Sequence, residues 1–220
     1  MIDKPKLKDN RNYNYLDCAN QIREEYPIIV DWIDANSSVI DLGCGNGSLL
    51  ELLIKSKNIK GKGIEISDTG VDICKQKGLD ALKMRIDIIN SGLKDKEFDF
   101  AICNVTMQMV MYPEVLLNEM GRISKYQIIS FSNFAYYKNR LELLFNGVMP
   151  KTMLFDYKWY NTGHIHQFSI NDFYAFLDEY GFNVIKRDFL GFSKNKFKKI
   201  IFERYPNLFS PIAIFMLEKK

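Results

Sequence analysis

The chain has 220 residues, of which 47% are hydrophobic and 26% are charged, and its formal net charge at pH 7 is +3. This length suits one α/β domain with a sizeable core and is short for two domains. The small charge, with lysines scattered along the chain, predicts no nucleic-acid partner. No apolar run approaches the ~20 residues of a membrane-spanning helix, which predicts no membrane insertion.

The four cysteines are widely separated and include no Cys-x-x-Cys pair. They are typical of small buried side chains in a reducing compartment, and they indicate neither a disulfide framework nor a zinc site. No signal peptide is recognisable. We therefore expect a cytoplasmic protein without a bound metal.

Residues 1–21 are mostly polar and basic, and we interpret them as an N-terminal arm. We interpret residues 22–220 as a single domain. Between Ile22 and Ile33 the apolar residues recur near helical spacing, and Pro27 predicts a break or a new helix start.

The stretch from Val39 to Leu50, VIDLGCGNGSLL, has the pattern of a buried strand, a tight glycine turn and a helix. Glycines occupy alternate positions of the turn. We expect them there because a bound molecule must approach the backbone where a Cβ atom would obstruct it. Ser48 and Glu51 have the spacing of a capping box at the start of the helix.

Glu65 is near the end of the next predicted strand, Lys62–Ile66, and lies 24 residues after Asp41. A Rossmann-type fold places at this position the carboxylate that binds ribose hydroxyls. The glycine turn and this carboxylate together predict a nucleoside-binding site.

Asp41 lies two residues before the first glycine, and the spacing G-x-G-x-G differs from the dinucleotide fingerprint G-x-G-x-x-G. A carboxylate here would repel a pyrophosphate and attract a cationic or zwitterionic ligand. The pattern resembles motif I of the class I methyltransferases, which implies S-adenosylmethionine (SAM) as cofactor and S-adenosylhomocysteine as its product. The alternatives are NAD or a degenerate fold, and Asp41 could instead cap the backbone N–H groups of its own loop.

Strands and helices continue to alternate along the chain. We predict helices at Val71–Gly78 and from Pro113 onward. The patterns predict further strands at Ala81–Arg85, Phe98–Asn104 and Tyr126–Phe131.

Two polar residues follow or end these strands. In SAM-binding folds an acid at the position of Asp87 reaches the adenine amino group, although it could also be a turn-forming residue. Asn104 ends its strand at the carboxyl edge, where doubly wound sheets bind ligands. The candidate cofactor-binding residues are Asp41, Gly43, Cys44, Gly45, Asn46, Glu65, Ile66, Asp87, Ile88 and Asn104.

Residues 132–168 interrupt the alternation and are longer than a simple connection. This aromatic insertion contains a predicted helix, Arg140–Phe145, and both histidines, His164 and His166. We interpret it as a lid, the substrate side of the pocket or a partner surface; alternatively, its aromatic residues form a second small core. These residues are Phe134, Tyr136, Tyr137, Phe145, Phe155, Tyr157, Trp159, Tyr160 and Phe168.

The remaining pattern predicts a helix from Ser169, as N-cap, to Gly181, then strands at Asn183–Asp188 and Ile212–Leu217. The last strand is expected to be antiparallel. The predicted fold is therefore α/β: a Rossmann-like class I methyltransferase fold whose seven-stranded, mostly parallel sheet has helices on both faces.

More particular motifs occur in the later segments: Gln108, Ser130–Phe134 (SFSNF), Arg140, Gly147, Met149, Pro150, Tyr157–His166 (YKWYNTGHIH) and Pro206–Phe209 (PNLF). Together with VIDLGCGNG and GIEI, they are similar to the MetW family of class I methyltransferase-fold proteins, which is associated with bacterial methionine biosynthesis. The resemblance extends from about Ile22 to the C-terminus.

The sequence departs from the family pattern at several positions of these motifs. Ser132 occupies the place of a proline, and Gly163 and His164 replace a Pro-Asn pair. A glutamate that is usual shortly after the PNL stretch is replaced near Ser210-Pro211. Most of these changes fall in or beside the aromatic insertion. The resemblance therefore supports SAM binding more strongly than any function of the insertion.

The resemblance implies a link to the homoserine O-acyltransferase (MetX) and supplies no methyl acceptor. His166 matches the terminal histidine of the family motif and is the candidate general base, while Tyr160 and Arg140 could orient an acceptor carboxylate or phosphate. The alternative for His166 is a structural hydrogen-bonding role.

Two classes of function remain open. One is an enzyme that transfers a methyl group from SAM to a small molecule held in the insertion. The other is a binding module that senses SAM and regulates an acyltransferase. A weaker third possibility is a sugar or lipid-intermediate methyltransferase.

Overall fold

A computed structural model describes residues 15, 22–88, 92–151, 159–160, 162–191 and 204–220. Apart from Tyr15, the predicted N-terminal arm lies outside these residues, as do Phe155 and Tyr157 of the aromatic insertion. Helices and strands alternate along the described chain. The strands are β1 Ser38–Leu42, β2 Lys60–Glu65, β3 Asp80–Lys83, β4 Phe98–Asn104, β5 Ser124–Ser132, β6 Phe182–Phe189 and β7 Ile212–Lys219.

The strands form one seven-stranded sheet with the order β3-β2-β1-β4-β5-β7-β6. The pairs from β3 to β5 are parallel. β7 pairs antiparallel with both β5 and β6, so it alone runs against the other strands of this sheet. This confirms the predicted α/β fold, including the antiparallel last strand.

Helices cover both faces of the sheet. They are α1 Tyr26–Trp32, α2 Ser48–Lys57, α3 Asp68–Gln76, α4 Pro113–Ile123, α5 Tyr137–Asn146, α6 Ile170–Glu179 and α7 Pro206–Phe209, with a short 3-10 helix at Met107–Met109. One core cluster contains the apolar residues of α4 and α6, and the other contains those of α1 and α2. In the described part of the chain, no helix is both long and apolar enough to cross a membrane.

Most element boundaries lie close to those that the sequence predicts. β4 has the predicted ends, and α6 has the predicted N-cap, Ser169. The structure adds a capping box, in which the side chains of Ser169 and Asp172 accept each other's backbone N–H. α1 begins at Tyr26, so Pro27 marks a new helix start and the helical spacing from Ile22 is not used. β2 ends at Glu65, and α3 begins three residues earlier than predicted.

The predicted capping box of Ser48 and Glu51 is wrong. Gly47 precedes α2 in a left-handed conformation, so Ser48 is the first helical residue and not the cap. The Ser48 hydroxyl donates to Asn46 Oδ1 over 2.6 Å. The Glu51 carboxylate instead pairs with Lys55 and Lys77. The glycine turn therefore determines how this helix begins.

Candidate functional site

The glycine loop, residues 43–47, lies at the carboxyl ends of the adjacent parallel strands β1 and β2. Backbone N–H groups of Gly43 and Cys44 both donate to the Ile64 carbonyl, over 2.8 and 3.0 Å. The Gly45 N–H donates to Glu65 Oε2 over 2.8 Å. These bonds hold the loop against the end of β2, beside the predicted ribose-binding carboxylate.

The Glu65 carboxylate is buried and accepts three backbone hydrogen bonds. The Gly45 N–H donates to Oε2, and the N–H groups of Ile66 and Ser67 donate to Oε1. Each of these bonds has a donor–acceptor distance of 2.8 Å. Burial raises the pKa of Glu65, while the three N–H donors oppose that shift. Glu65 thus joins the glycine loop to the start of α3, a role that sequence spacing did not indicate.

Asp41 is almost completely buried at the end of β1, and its Oδ1 has no hydrogen-bond partner among the described residues. Burial, and next the negative charge of Glu65, raise the pKa of Asp41 to about 7. The alternative in which Asp41 caps its own loop is wrong at Gly43, Cys44 and Gly45, whose N–H groups donate to Ile64 or Glu65. A buried carboxylate oxygen without a donor favours a cationic or hydrogen-bonding ligand.

The loop glycines meet different neighbours. A Cβ on Gly43 would lie 2.5 Å from Thr106 Cγ2, and one on Gly47 would lie 2.5 Å from Leu79 Cδ1. Both positions also have a positive φ, +83° and +74°, so the chain itself favours glycine there, whereas the sequence pattern predicts that a bound molecule requires it. Gly45 has a φ of +56° and faces the ring of Tyr15.

Cys44 and Cys74 pack beneath this loop, with their sulfur atoms 3.9 Å apart. Together with Cys103 they are buried free thiols, in accord with the expectation of small core side chains, while Cys18 lies outside the described residues. Asn46 fixes the start of α2, because its Oδ1 accepts hydrogen bonds from the N–H and the hydroxyl of Ser48.

Asp87 and Asn104 are engaged by the protein itself. Asp87 forms a two-bond ion pair with Arg85, and its Oδ2 accepts the Met111 N–H over 2.8 Å. The Asn104 amide donates to Glu25 and accepts the Ser130 hydroxyl. These bonds fix the loops after β3 and β4 beside the carboxyl edge of the sheet. Ile66 and Ile88 are half-buried.

Gln108 joins the aromatic insertion to the sheet. Its buried amide pairs with the backbone of Ser132 through bonds of 3.1 and 3.0 Å. The backbone carbonyl of Gln108 accepts the N–H groups of Ile165 and His166. Sequence reasoning assigned no role to this residue, which holds the histidine segment against the end of β5.

Asn133 is a second buried amide that links separate segments through hydrogen bonds, and the sequence did not indicate this role. Its buried side chain donates to the carbonyls of Asn207 and Ser210, over 2.9 and 2.8 Å, and accepts the N–H of Ala135. The Asn207 side chain in turn accepts the Ile170 N–H, at the start of α6. The SFSNF and PNLF motifs are therefore parts of one hydrogen-bonded structure.

The two histidines differ in environment. His164 is buried, its Nδ1 lies 2.9 Å from the Thr162 hydroxyl, and burial lowers its pKa to about 4. His166 lines a cavity of about 260 Å³. His166 Nε2 and Gln167 Oε1 are both buried without a hydrogen-bond partner among the described residues. Other residues of the cavity wall are Met107, Pro113, Phe168 and Phe173.

Tyr160 and Arg140 do not line this cavity. The Tyr160 side chain is half exposed and its ring packs edge-on against Trp159, at 5.6 Å between centroids. Arg140 is exposed on α5, and its Nε donates to the Ala135 carbonyl over 2.6 Å. Of the three candidate catalytic residues, His166 alone therefore lines this cavity.

Comparison with known proteins agrees with this architecture. A family model described as methionine biosynthesis protein MetW matches residues 23–217. A curated relative, the bifunctional methionine biosynthesis protein MetXA/MetW of Rhodopirellula baltica, is 32% identical over 168 residues. The match covers 72% of this chain but spans only 27% of that relative.

Solved structures of low sequence identity share the fold. A SAM-dependent methyltransferase of Archaeoglobus fulgidus has a TM-score of 0.64 at 17% identity, with 89% of this chain and 91% of that chain covered. A SAM-dependent methyltransferase of Thermotoga maritima, described as a possible histamine N-methyltransferase, has a TM-score of 0.62 at 20% identity, with coverages of 89% and 88%. With its methyltransferase fold and a family match over nearly its whole length, this chain belongs to the MetW family of methionine biosynthesis proteins.

Proposed function

We propose that the chain binds SAM at the glycine loop and acts in methionine biosynthesis together with the homoserine O-acyltransferase MetX. The observation that carries the SAM proposal is the buried Asp41 Oδ1, which has no partner among the described residues. An ammonium group would satisfy it and offset the cost of burying its charge. SAM carries such a group together with a ribose, which suits the neighbouring Glu65.

The residues of the site have separate tasks in this proposal. Asp41 binds the amino group, and Glu65 accepts the ribose hydroxyls with the lone pairs that its backbone donors leave unused. Bound SAM would supply an electrophilic methyl group on a cationic sulfur. Asp87 holds the loop after β3 through Met111, and so orients the backbone beside the expected adenine position.

Gly45→Val is expected to weaken SAM binding by about tenfold or more, because the side chain would enter the site from a backbone that disfavours it. Isothermal titration calorimetry with SAM, S-adenosylhomocysteine and NAD measures this. Gly78→Val is the matched control, since Gly78 has a φ of +74° but no atom within 4 Å of an added Cβ. Unchanged SAM affinity in a folded Gly45→Val protein, or tighter binding of NAD than of SAM by the wild type, would contradict the assignment.

The proposed partnership with MetX is supported by the curated relative, whose name joins MetXA and MetW in one bifunctional protein. A protein partner also requires a surface. Helix α5 buries Asn139 but leaves apolar side chains exposed along its second half and beyond its end. This α5 surface consists of Leu141, Leu143, Leu144, Phe145 and Val148, with Leu144 and Phe145 73% and 76% exposed.

An apolar cluster of this kind costs solubility unless a partner covers it. Trp159, at 72% exposure, adds a side-chain type that is frequent at interface hot spots. We therefore assign the α5 surface and Trp159 to contact with MetX. The hydrogen bonds of the buried Gln108 and Asn133 side chains hold the ends of the insertion against the sheet.

Replacing both Leu144 and Phe145 by Asp is expected to weaken MetX binding by about 2 kcal/mol or more, because buried apolar contacts would become buried charges. Trp159→Ala tests the proposed contact of Trp159 with MetX separately. Co-elution with the cognate MetX and its acyltransferase activity, with and without SAM, are the measurements. If SAM changes the affinity for MetX, MetX must change the affinity for SAM by the same factor.

Leu82→Asp is the matched control, because Leu82 is 46% exposed on β3, the edge strand at the other end of the sheet from β6. Its complex with MetX should equal that of the wild type. If the control and the α5 variants lose MetX affinity equally, the loss does not come from the α5 surface, and the assignment of that surface is refuted. No co-elution with wild-type protein at any SAM concentration would refute the partnership.

A second function, methyl transfer to a small-molecule acceptor unrelated to methionine synthesis, is favoured by the cavity at His166. Thr106 packs against Gly43 while the next residue, Met107, lines the cavity, so two adjacent residues contact the two sites. His166 Nε2 would take the proton of an acceptor hydroxyl or amine. Release of S-adenosylhomocysteine with such an acceptor supports this function, whereas tight SAM binding without turnover supports a regulatory module.

A further inference from the structure

Tyr15 lies against the glycine loop, although it precedes the family match, which begins at residue 23. A Cβ on Gly45 would be 3.2 Å from Tyr15 Cε1 and 3.4 Å from its hydroxyl oxygen. A Cβ on Gly70, in the first turn of α3, would be 3.2 Å from Tyr15 Cδ2. The Tyr15 ring therefore lies against two glycines, Gly45 in the loop and Gly70 in α3.

A backbone contact fixes this position. The Tyr15 N–H donates to the Thr69 hydroxyl oxygen over 3.1 Å, next to Gly70 in the same helical turn. Thr69 also lies 3.0 Å from the Ser67 hydroxyl, which accepts the N–H of Gly70 as the cap of α3. Tyr15 is thus held by the same turn whose start is bonded to Glu65.

The ring also lies beside the proposed ribose-binding carboxylate. The Cβ position on Gly70 that approaches Tyr15 is 2.8 Å from Glu65 Cγ and 2.8 Å from the Gly45 carbonyl oxygen. Glu65 Oε2 in turn accepts the Gly45 N–H. Because these groups share one small region, a nucleoside bound at Glu65 would lie beside the Tyr15 ring.

We infer that Tyr15 forms a wall of the cofactor site, packing its ring against the bound nucleoside and slowing its release. This inference rests on the proposed binding of SAM at the glycine loop. An aromatic ring adds apolar contact and can attract a nearby cation such as the sulfonium. Gly45 and Gly70 permit the contact, since a side chain at either position would displace the ring.

Tyr15→Ala is expected to weaken SAM and S-adenosylhomocysteine binding by about fivefold, mainly through faster dissociation. Tyr15→Phe should retain most of the affinity because the contact depends on the ring. Tyr205→Ala is the matched control, since Tyr205 is exposed at the start of α7 and lies outside the proposed site. Calorimetry gives the affinities, stopped-flow displacement gives the dissociation rates, and thermal unfolding confirms that each variant is folded.

The outcomes separate the two proposals. If the wild type binds SAM and folded Tyr15→Ala binds it equally well, the wall is refuted while the SAM site stands. Tighter binding by Tyr15→Ala would also refute the wall, because the ring would then obstruct the ligand. If the wild type binds neither SAM nor S-adenosylhomocysteine, the proposed cofactor site is refuted and the wall with it.

Discussion

Glu65→Ala is expected to destabilise the protein by about 3 kcal/mol or more, because three backbone donors would lose their acceptor in a buried place. These donors are the N–H groups of Gly45, Ile66 and Ser67. The loss is a large part of the free energy of unfolding of a typical domain, about 5–15 kcal/mol. Urea unfolding followed by circular dichroism measures it.

Two variants separate the structural role of Glu65 from its proposed role in ligand binding. Glu65→Gln keeps one acceptor oxygen for Ile66 and Ser67 and should remain folded, while SAM affinity falls by about 1.5–3 kcal/mol through loss of the charged acceptor. Glu97→Ala removes a carboxylate that accepts the Lys94 N–H at an exposed site, and should cost little. Wild-type stability in Glu65→Ala would show that the loop does not depend on these bonds.

The regular elements could be predicted because their signals are local. β4 is a mostly buried strand whose predicted ends are correct, and α6 has its N-cap and its stop close together in the sequence. The predicted start of α2 is wrong because two local signals compete there. Ser48 has capping-box spacing, but the left-handed Gly47 takes the position that the cap requires.

The site was predictable in composition but not in its internal bonds. The spacing of Asp41, the glycines and Glu65 predicts where they meet, since parallel strands end at one edge. It does not predict that Glu65 accepts three N–H groups, or that Thr106 and Leu79 are what exclude a Cβ from Gly43 and Gly47. Those contacts join residues far apart in sequence.

The motifs that carry the family resemblance illustrate the same limit. When only the sequence is known, Gln108 and Asn133 are polar residues of these motifs to which no role can be assigned. In the structure their amides bond to the backbone of Ser132, Asn207 and Ser210. A polar residue of a motif can therefore be required to position a segment of the chain. The segment that Gln108 positions carries His166.

Asp41→Asn is expected to gain stability relative to the wild type as the pH rises, by about 2–3 kcal/mol between pH 5 and pH 8. The folded pKa of Asp41, about 7, is above the ordinary value of 3.8 because the carboxyl is buried and faces Glu65. Between those values the native state holds a proton that the unfolded chain has lost. Wild-type stability therefore falls as the pH rises through this window, and the loss is complete above it.

The other titratable groups near Asp41 remain in both proteins: Glu65, Tyr26, Cys44, Cys74 and Cys103. Their direct contributions cancel in the comparison. Asp99→Asn is the matched control, because hydrogen bonds from Ser38 lower the pKa of Asp99 and leave it ionised in both states from pH 5 to pH 8. Urea unfolding at the two pH values is the measurement, and parallel pH profiles for wild type and Asp41→Asn would contradict the prediction.

Adding SAM extends this experiment to function. If its ammonium group pairs with the ionised Asp41 carboxylate, SAM must lower the pKa of Asp41 and flatten the pH dependence of wild-type stability. By the same linkage, SAM affinity should fall below pH 7, by up to about tenfold per pH unit, and Asp41→Asn should lose this dependence. A wild-type affinity that does not change between pH 5 and pH 8 would mean that the amino group binds elsewhere. The unpartnered Asp41 oxygen would then need a different ligand group to explain its burial.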